Sequence, residues 1–152
     1  MSFTLPVTQP GNEGNIYRFK VVAENGLGEG LYSEEVQLMA VDEPDEPTIT
    51  AVDSSRTQTS IRLNFAPGAL DGGSDIIGYK LYRDYGVSGS PFTLLYDGAN
   101  RPEIITYLAT GLETGLLYSF KLFSLNAVFE SASAGTISVR VGTVPSQPLK
   151  PI

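Results

Sequence analysis

The 152-residue sequence has no cysteine, no histidine and no tryptophan. Without Cys or His, the common zinc, haem and iron–sulfur ligand sets cannot be assembled. Ser-His-Asp and Cys-His catalysis are excluded on the same ground. No apolar run approaches the roughly 20 residues needed to cross a bilayer as a helix. Met1 to Pro6 has neither a basic start nor an apolar stretch, so a signal peptide is not expected. Basic residues are scarce, 10 against 17 acidic ones, and none cluster. An acidic chain without a basic patch argues against nucleic acid and anionic membranes as partners. None of the six Asn sits in an Asn-x-Ser/Thr sequon. The missing Cys and sequons together favour an intracellular scaffold or filament over an extracellular surface.

What charge there is lies at one end. Residues 1–47 carry Arg18 and Lys20 against nine acidic residues, which leaves −7, the whole net charge of the chain. The remainder is balanced. The acidic third reads as a solvated surface and a linker. A chain of this length buries about 70% of its unfolded surface, enough for a real core.

The sequence repeats itself at the scale of a domain. Tyr17, Phe19, Lys20 and Asn25 match Tyr118, Phe120, Lys121 and Asn126 in one ungapped register, 101 residues apart. The same register sets Glu29 against Glu130, Pro44 against Pro145 and Pro47 against Pro148, and pairs Val36 with Ile137 and Leu38 with Val139. Prolines at 44, 47, 145 and 148 mark two short, stiff junctions. The expected organisation is a partial domain over 1–43, a complete domain over 44–143, and a linker over 144–152. The first part has too few strands to cover Tyr17, Phe19, Val21, Val36 and Leu38 on both sides. It is expected to be a piece of a longer chain, or else to be completed by strands from a partner.

Between the prolines the pattern is that of strands. Ile61, Leu63 and Phe65 alternate with Arg62 and Asn64, up to Ala66-Pro67-Gly68. Ile77, Tyr79 and Leu81 form a second inward set. Phe92 to Tyr96 and Thr106 to Ala109 are short strands. Tyr118, Phe120 and Leu122 line the longest strand, and Ile137, Val139 and Val141 the last. Seven short strands, turns every 8–12 residues and no helical stretch predict an all-β, antiparallel, seven-stranded sandwich of immunoglobulin-like type. A closed barrel fits the proline-bounded period less well.

These residues resemble the fibronectin type III family. The match is carried by Pro44-x-x-Pro47, by Ser60 to Pro67, by Asp71-Gly72-Gly73-Ser74 leading into Gly78 to Tyr82, and by Thr110 to Tyr118 followed by Ser119 to Leu122 and Asn126. It covers 44–142 in full and 17–43 as the end of a preceding copy. Phe65 stands where the family usually has Trp, and Thr114 where its corner has Pro. The resemblance implies a sandwich and a non-catalytic role. A Tyr entering the core needs a partner for its hydroxyl, which the backbone just upstream can supply. Tyr118 is expected to play this part, and Tyr17 its counterpart. The adhesion tripeptide Arg-Gly-Asp that some members carry is absent.

Several constellations invite a chemical reading. Asp71 and Asp75 flank a Gly-Gly turn. They read better as a turn in which Asp bonds its own backbone than as a calcium loop or acid/base pair. The acidic junction 42–47 has no acidic counterpart at 143–148, which argues against a recurring metal site. Gly26-x-Gly28-x-Gly30 joins two strands and precedes no helix, so it is a turn rather than a phosphate loop. No cofactor is expected. On the outer face, alternation places Tyr82 beside Phe123 and Leu125, extended by Val128 and Phe129. The first copy has Val22 and Glu24 in place of Phe123 and Leu125, so the fold does not require this patch. A contiguous apolar surface marks a contact site, unless a neighbouring domain or the loop 84–91 covers it. The function read from the sequence is a spacer, scaffold or adhesion segment in a tandem array. Its partners would be proteins and neighbouring domains of the same chain. The alternative is an accessory spacer of a larger enzyme, such as a polysaccharide hydrolase.

Overall fold

The computed structural model describes residues 12–142. The second proline pair, at 145 and 148, and the 144–152 linker lie outside them. Near the N-terminus, β1 (Ile16–Phe19) pairs with β4 (Val36–Met39). Between them β2 (Glu24–Asn25) and β3 (Gly28–Glu29) form a small antiparallel ribbon, so the Gly26-x-Gly28-x-Gly30 segment is a turn between strands. The remaining strands build a two-sheet sandwich. One sheet holds β5 (Thr48–Val52), β6 (Ile61–Ala66) and β9 (Thr106–Ala109), with β6 central. The other runs β11-β10-β7-β8, from β7 (Gly78–Arg83), β8 (Thr93–Asp97), β10 (Leu117–Leu125) and β11 (Gly135–Arg140). Every paired strand in the sandwich is antiparallel. One 3-10 turn, Asp53–Ser55, is the sole helical element among the described residues.

The core follows the period-two pattern. Ile61, Leu63 and Phe65 of β6 face Tyr79, Leu81, Tyr118, Phe120, Leu122 and Val139 of the other sheet. Each such aliphatic or aromatic side chain, withdrawn from water, contributes about 1.5–3 kcal/mol. The Phe65 ring lies 5.7 Å from that of Tyr79, so a smaller ring than Trp fills the position against an aromatic neighbour. The Tyr118 hydroxyl accepts a hydrogen bond from the Glu113 backbone N–H at 2.9 Å, the upstream partner expected for a buried tyrosine. Tyr17 has no such bond among the described residues.

Two departures from simple alternation matter. Ile76, rather than Ile77, packs against the core, because the strand begins only at Gly78 and residues 75–77 before it are irregular. A bulge opposite Leu81 and Tyr82 lets both Leu95 and Tyr96 of β8 pack on the core, and leaves Leu94 exposed opposite Tyr82.

The N-terminal strands repeat the sandwich's geometry at the offset seen in the sequence. Tyr17 pairs with Leu38 and Phe19 with Val36; Tyr118 pairs with Val139 and Phe120 with Ile137. The Gly14 N–H donates to the Ala40 carbonyl at 2.8 Å, and Gly115 donates to Val141 at 2.9 Å. Asn25 Oδ1 accepts from the Leu27 N–H and Asn126 Oδ1 from the Val128 N–H, again 101 residues apart. The packing around them differs. Phe120 and Leu122 are buried, whereas Phe19 is half-buried and Val21 is exposed.

The 42–47 junction is fastened to the sandwich. Asp42 N–H donates to the Gly72 carbonyl and Asp45 N–H to that of Leu70. Asn126 Nδ2 donates to the Asp42 and Asp71 carbonyls, and Ser124 Oγ to that of Asp45. Pro44 and Pro47 are buried. The segment is a strap along the domain rather than a free spacer.

Candidate functional site

The outer face of the β11-β10-β7-β8 sheet is built by the residues that alternation turns away from the core. Tyr82 and Phe123 meet edge to face, with ring centroids 5.7 Å apart and planes at 82°. They are diagonal neighbours across the β7–β10 ladder, where Lys121 stands opposite Tyr82 and Lys80 opposite Phe123. Lys121 Nζ lies over the Phe92 ring, 4.3 Å from its centroid. Lys80 Nζ bonds Glu130 Oε2 at 2.6 Å, which ties β7 to the middle of the β10–β11 connection. This hydrogen bond to the carboxylate raises the Lys80 pKa above its ordinary value, against a smaller desolvation effect. The face therefore presents rings interleaved with two lysine stems, with one ammonium neutralised.

The five residues singled out from the sequence divide. Tyr82 and Phe123 are half-buried and in contact. Val128 and Phe129 are 60% and 41% exposed in the following turn. Leu125 was expected at the surface and is not: it is 8% exposed. The cause is the chain reversal after β10. Asn126 Oδ1 accepts from the Val128 and Phe129 N–H groups, Asn126 N–H donates to the Phe129 carbonyl, and Glu130 bridges back to Leu125. The returning strand thus runs alongside Leu125. It remains apart from the main core cluster. Leu94, 51% exposed, stands opposite Tyr82 instead. Sequence reasoning missed it because the bulge shifts its register, and a bulge has no clear signature in Thr93-Leu94-Leu95-Tyr96.

The loop 84–91 turns elsewhere. A Cβ at Gly86 would meet the side chains of Leu116 and Tyr118, at the sandwich edge. Asp84 holds the loop's start by accepting from the Gly86 and Ser119 N–H groups. Tyr85 and Val87 are exposed.

The other candidates act as turns. Asp71 Oδ1 accepts from the Gly73 N–H at 2.8 Å. Among the described residues, no group of three acidic side chains is placed to hold a metal ion. A shallow cleft of about 490 Å³ lies along the acidic strap, lined by residues 42–46 with Ala69, Ala132 and Ser133.

These features define a β-sandwich module with an aromatic outer face. No family model matches the sequence. The chain is 27% identical over 136 residues to human fibronectin type-III domain-containing protein 3A, covering 89% of this chain and 11% of that protein. It is 28% identical over 150 residues to human fast-type myosin-binding protein C, covering 99% of this chain and 12% of that protein. The solved fourth fibronectin type III domain of a human protein superposes with a TM-score of 0.59 at 20% identity, covering 83% of this chain and 98% of that domain. The sandwich has the fibronectin type III fold, and the chain is related to proteins that contain such domains. It spans about a tenth of the length of the two relatives named here.

Proposed function

We propose that the chain is a non-catalytic structural and protein-binding segment of a tandem array. Residues 1–43 then end one fibronectin type III-like domain, 44–143 form a complete one, and 144–152 lead to another. One observation carries this reading: the hydrogen bonds and strand register of 12–40 recur 101 residues later. Independent elements have no reason to share a turn, the glycine N–H bond that closes it and a ladder register at one offset. Domains of one chain meet their neighbours over limited interfaces, which leaves sheet faces open to other proteins. The face around Tyr82 and Phe123, with Val128, Phe129 and Leu94, is the surface that would make such a contact.

Two experiments test the reading. The reading frame on either side of this segment should encode further domains of the same period; a frame with none refutes the array. The immobilised chain should retain a protein that the Phe123→Ser, Phe129→Ser double variant releases, with the unaltered chain and the variant folding alike. Equal retention refutes the contact face.

A further inference from the structure

The N-terminal segment and the sandwich touch through two turns. A Cβ at Gly73 would lie 2.1 Å from the Gly14 nitrogen and 2.5 Å from the Glu13 carbonyl carbon. The Gly-Gly turn is therefore pressed against the backbone of the Glu13-Gly14 turn, and only glycine fits there. Both glycines have positive φ, +81° at each. The neighbouring Gly72 is buried, and its missing Cβ leaves room for the Asp42 carbonyl.

The acceptor turn exists twice in this chain. The bond from Gly14 to Ala40 recurs as that from Gly115 to Val141. Asn15 N–H donates to the Asn12 carbonyl at 3.2 Å, and Leu116 N–H to that of Glu113 at 3.3 Å, at the same offset. Gly115 has φ +88°, against +81° for Gly14. Glu113, Thr114 and Gly115 are exposed, and no described atom lies within 4 Å of a Cβ placed on Gly115. The chain also leaves the two turns alike, from buried Ala40 in one case and buried Val141 in the other. The atoms nearest to a Cβ on Gly73 are the Gly14 nitrogen and the carbonyl carbon and Cβ of Glu13, and Thr114 and Gly115 present the same three kinds of atom at the equivalent positions.

We propose that the Glu113-Thr114-Gly115 turn is the docking site for the Gly-Gly turn of a following domain of the same kind, placed as Gly73 sits on Gly14. The inference rests on the array reading, and its test is independent of whether the native gene continues. A second copy of residues 42–142 is appended directly after Gly142, and the amides of residues 113–116 are followed by NMR. Docking predicts that they shift on extension and that one fixed orientation relates the two sandwiches in residual dipolar couplings. Gly73→Asn in the appended copy tolerates positive φ but carries the intruding Cβ. It should return those amides to their positions in the 152-residue chain. Unmoved amides, shifts that survive Gly73→Asn, or an appended copy that lacks the hydrogen-exchange protection of the first would each overturn the proposal. None of these results would decide whether the natural gene encodes an array.

Discussion

Two tyrosines show how much a single hydroxyl depends on its surroundings. Tyr118 enters the core and its oxygen accepts from the Glu113 N–H at 2.9 Å. Removing it leaves that N–H without its partner, and one lost hydrogen bond beside a core costs about 1–3 kcal/mol. Tyr118→Phe should lower the unfolding free energy by that amount in a urea titration, with the fold retained. Tyr96 is the opposite case. Its hydroxyl is buried and has no hydrogen-bond partner among the described residues, while its ring packs on Tyr107 at 5.3 Å. Tyr96→Phe keeps the ring and deletes a desolvated polar atom, so stability should hold or rise by about 1 kcal/mol. A loss comparable to that of Tyr118→Phe would show that the hydroxyl has a partner after all. The Tyr118 bond was legible in the sequence, because the corner turn upstream was visible. The Tyr96 orphan was not, since its position depends on the bulge in β8.

At the scale of elements, the strap and the β10–β11 turn are joined by one side chain. Asn126 is buried, donates to two carbonyls from the junction and the Asp71 turn, and accepts from two N–H groups of its own turn. Asn126→Ala breaks all four, which at about 0.5–1.5 kcal/mol each is a loss of roughly 2–6 kcal/mol. The amides of Val128 and Phe129 should also exchange faster, as should Asp42, which loses its neighbouring anchor. If stability falls while those amides stay protected, the residue acts through packing alone. The sequence located Asn126 through its repeat partner Asn25, and it named the 44–47 junction. It did not show that the two are bonded, because their contact spans more than eighty residues. The outer face was half legible for a similar reason. Alternation placed Tyr82 and Phe123 correctly, but it carried Leu125 past the point where the chain turns back.

For the molecule as a whole, the perturbed groups point to alkaline sensitivity. Burial raises the Tyr79 pKa, and the Glu130 carboxylate raises that of Lys80. Both keep their protons longer in the folded state than in the unfolded one. Their stabilisation is complete below the unfolded values, near 10, and is lost as pH rises through the folded ones. Stability should therefore fall steeply above about pH 10. Glu130→Gln should remove the Lys80 part of that slope, leaving the tyrosine part. An identical slope in the variant would mean that the ion pair does not differ between folded and unfolded states.

Composition, period-two alternation and a 101-residue repeat were enough to specify an antiparallel sandwich bounded by prolines, since which face of a strand is buried is a local property of its residues. The bulge at Leu81 and Tyr82, the burial of Leu125, the fastening of the acidic strap and the meeting of Gly73 with Gly14 were decided in three dimensions. Each depends on which distant segment arrives at a given place, and a strand pattern carries no record of that.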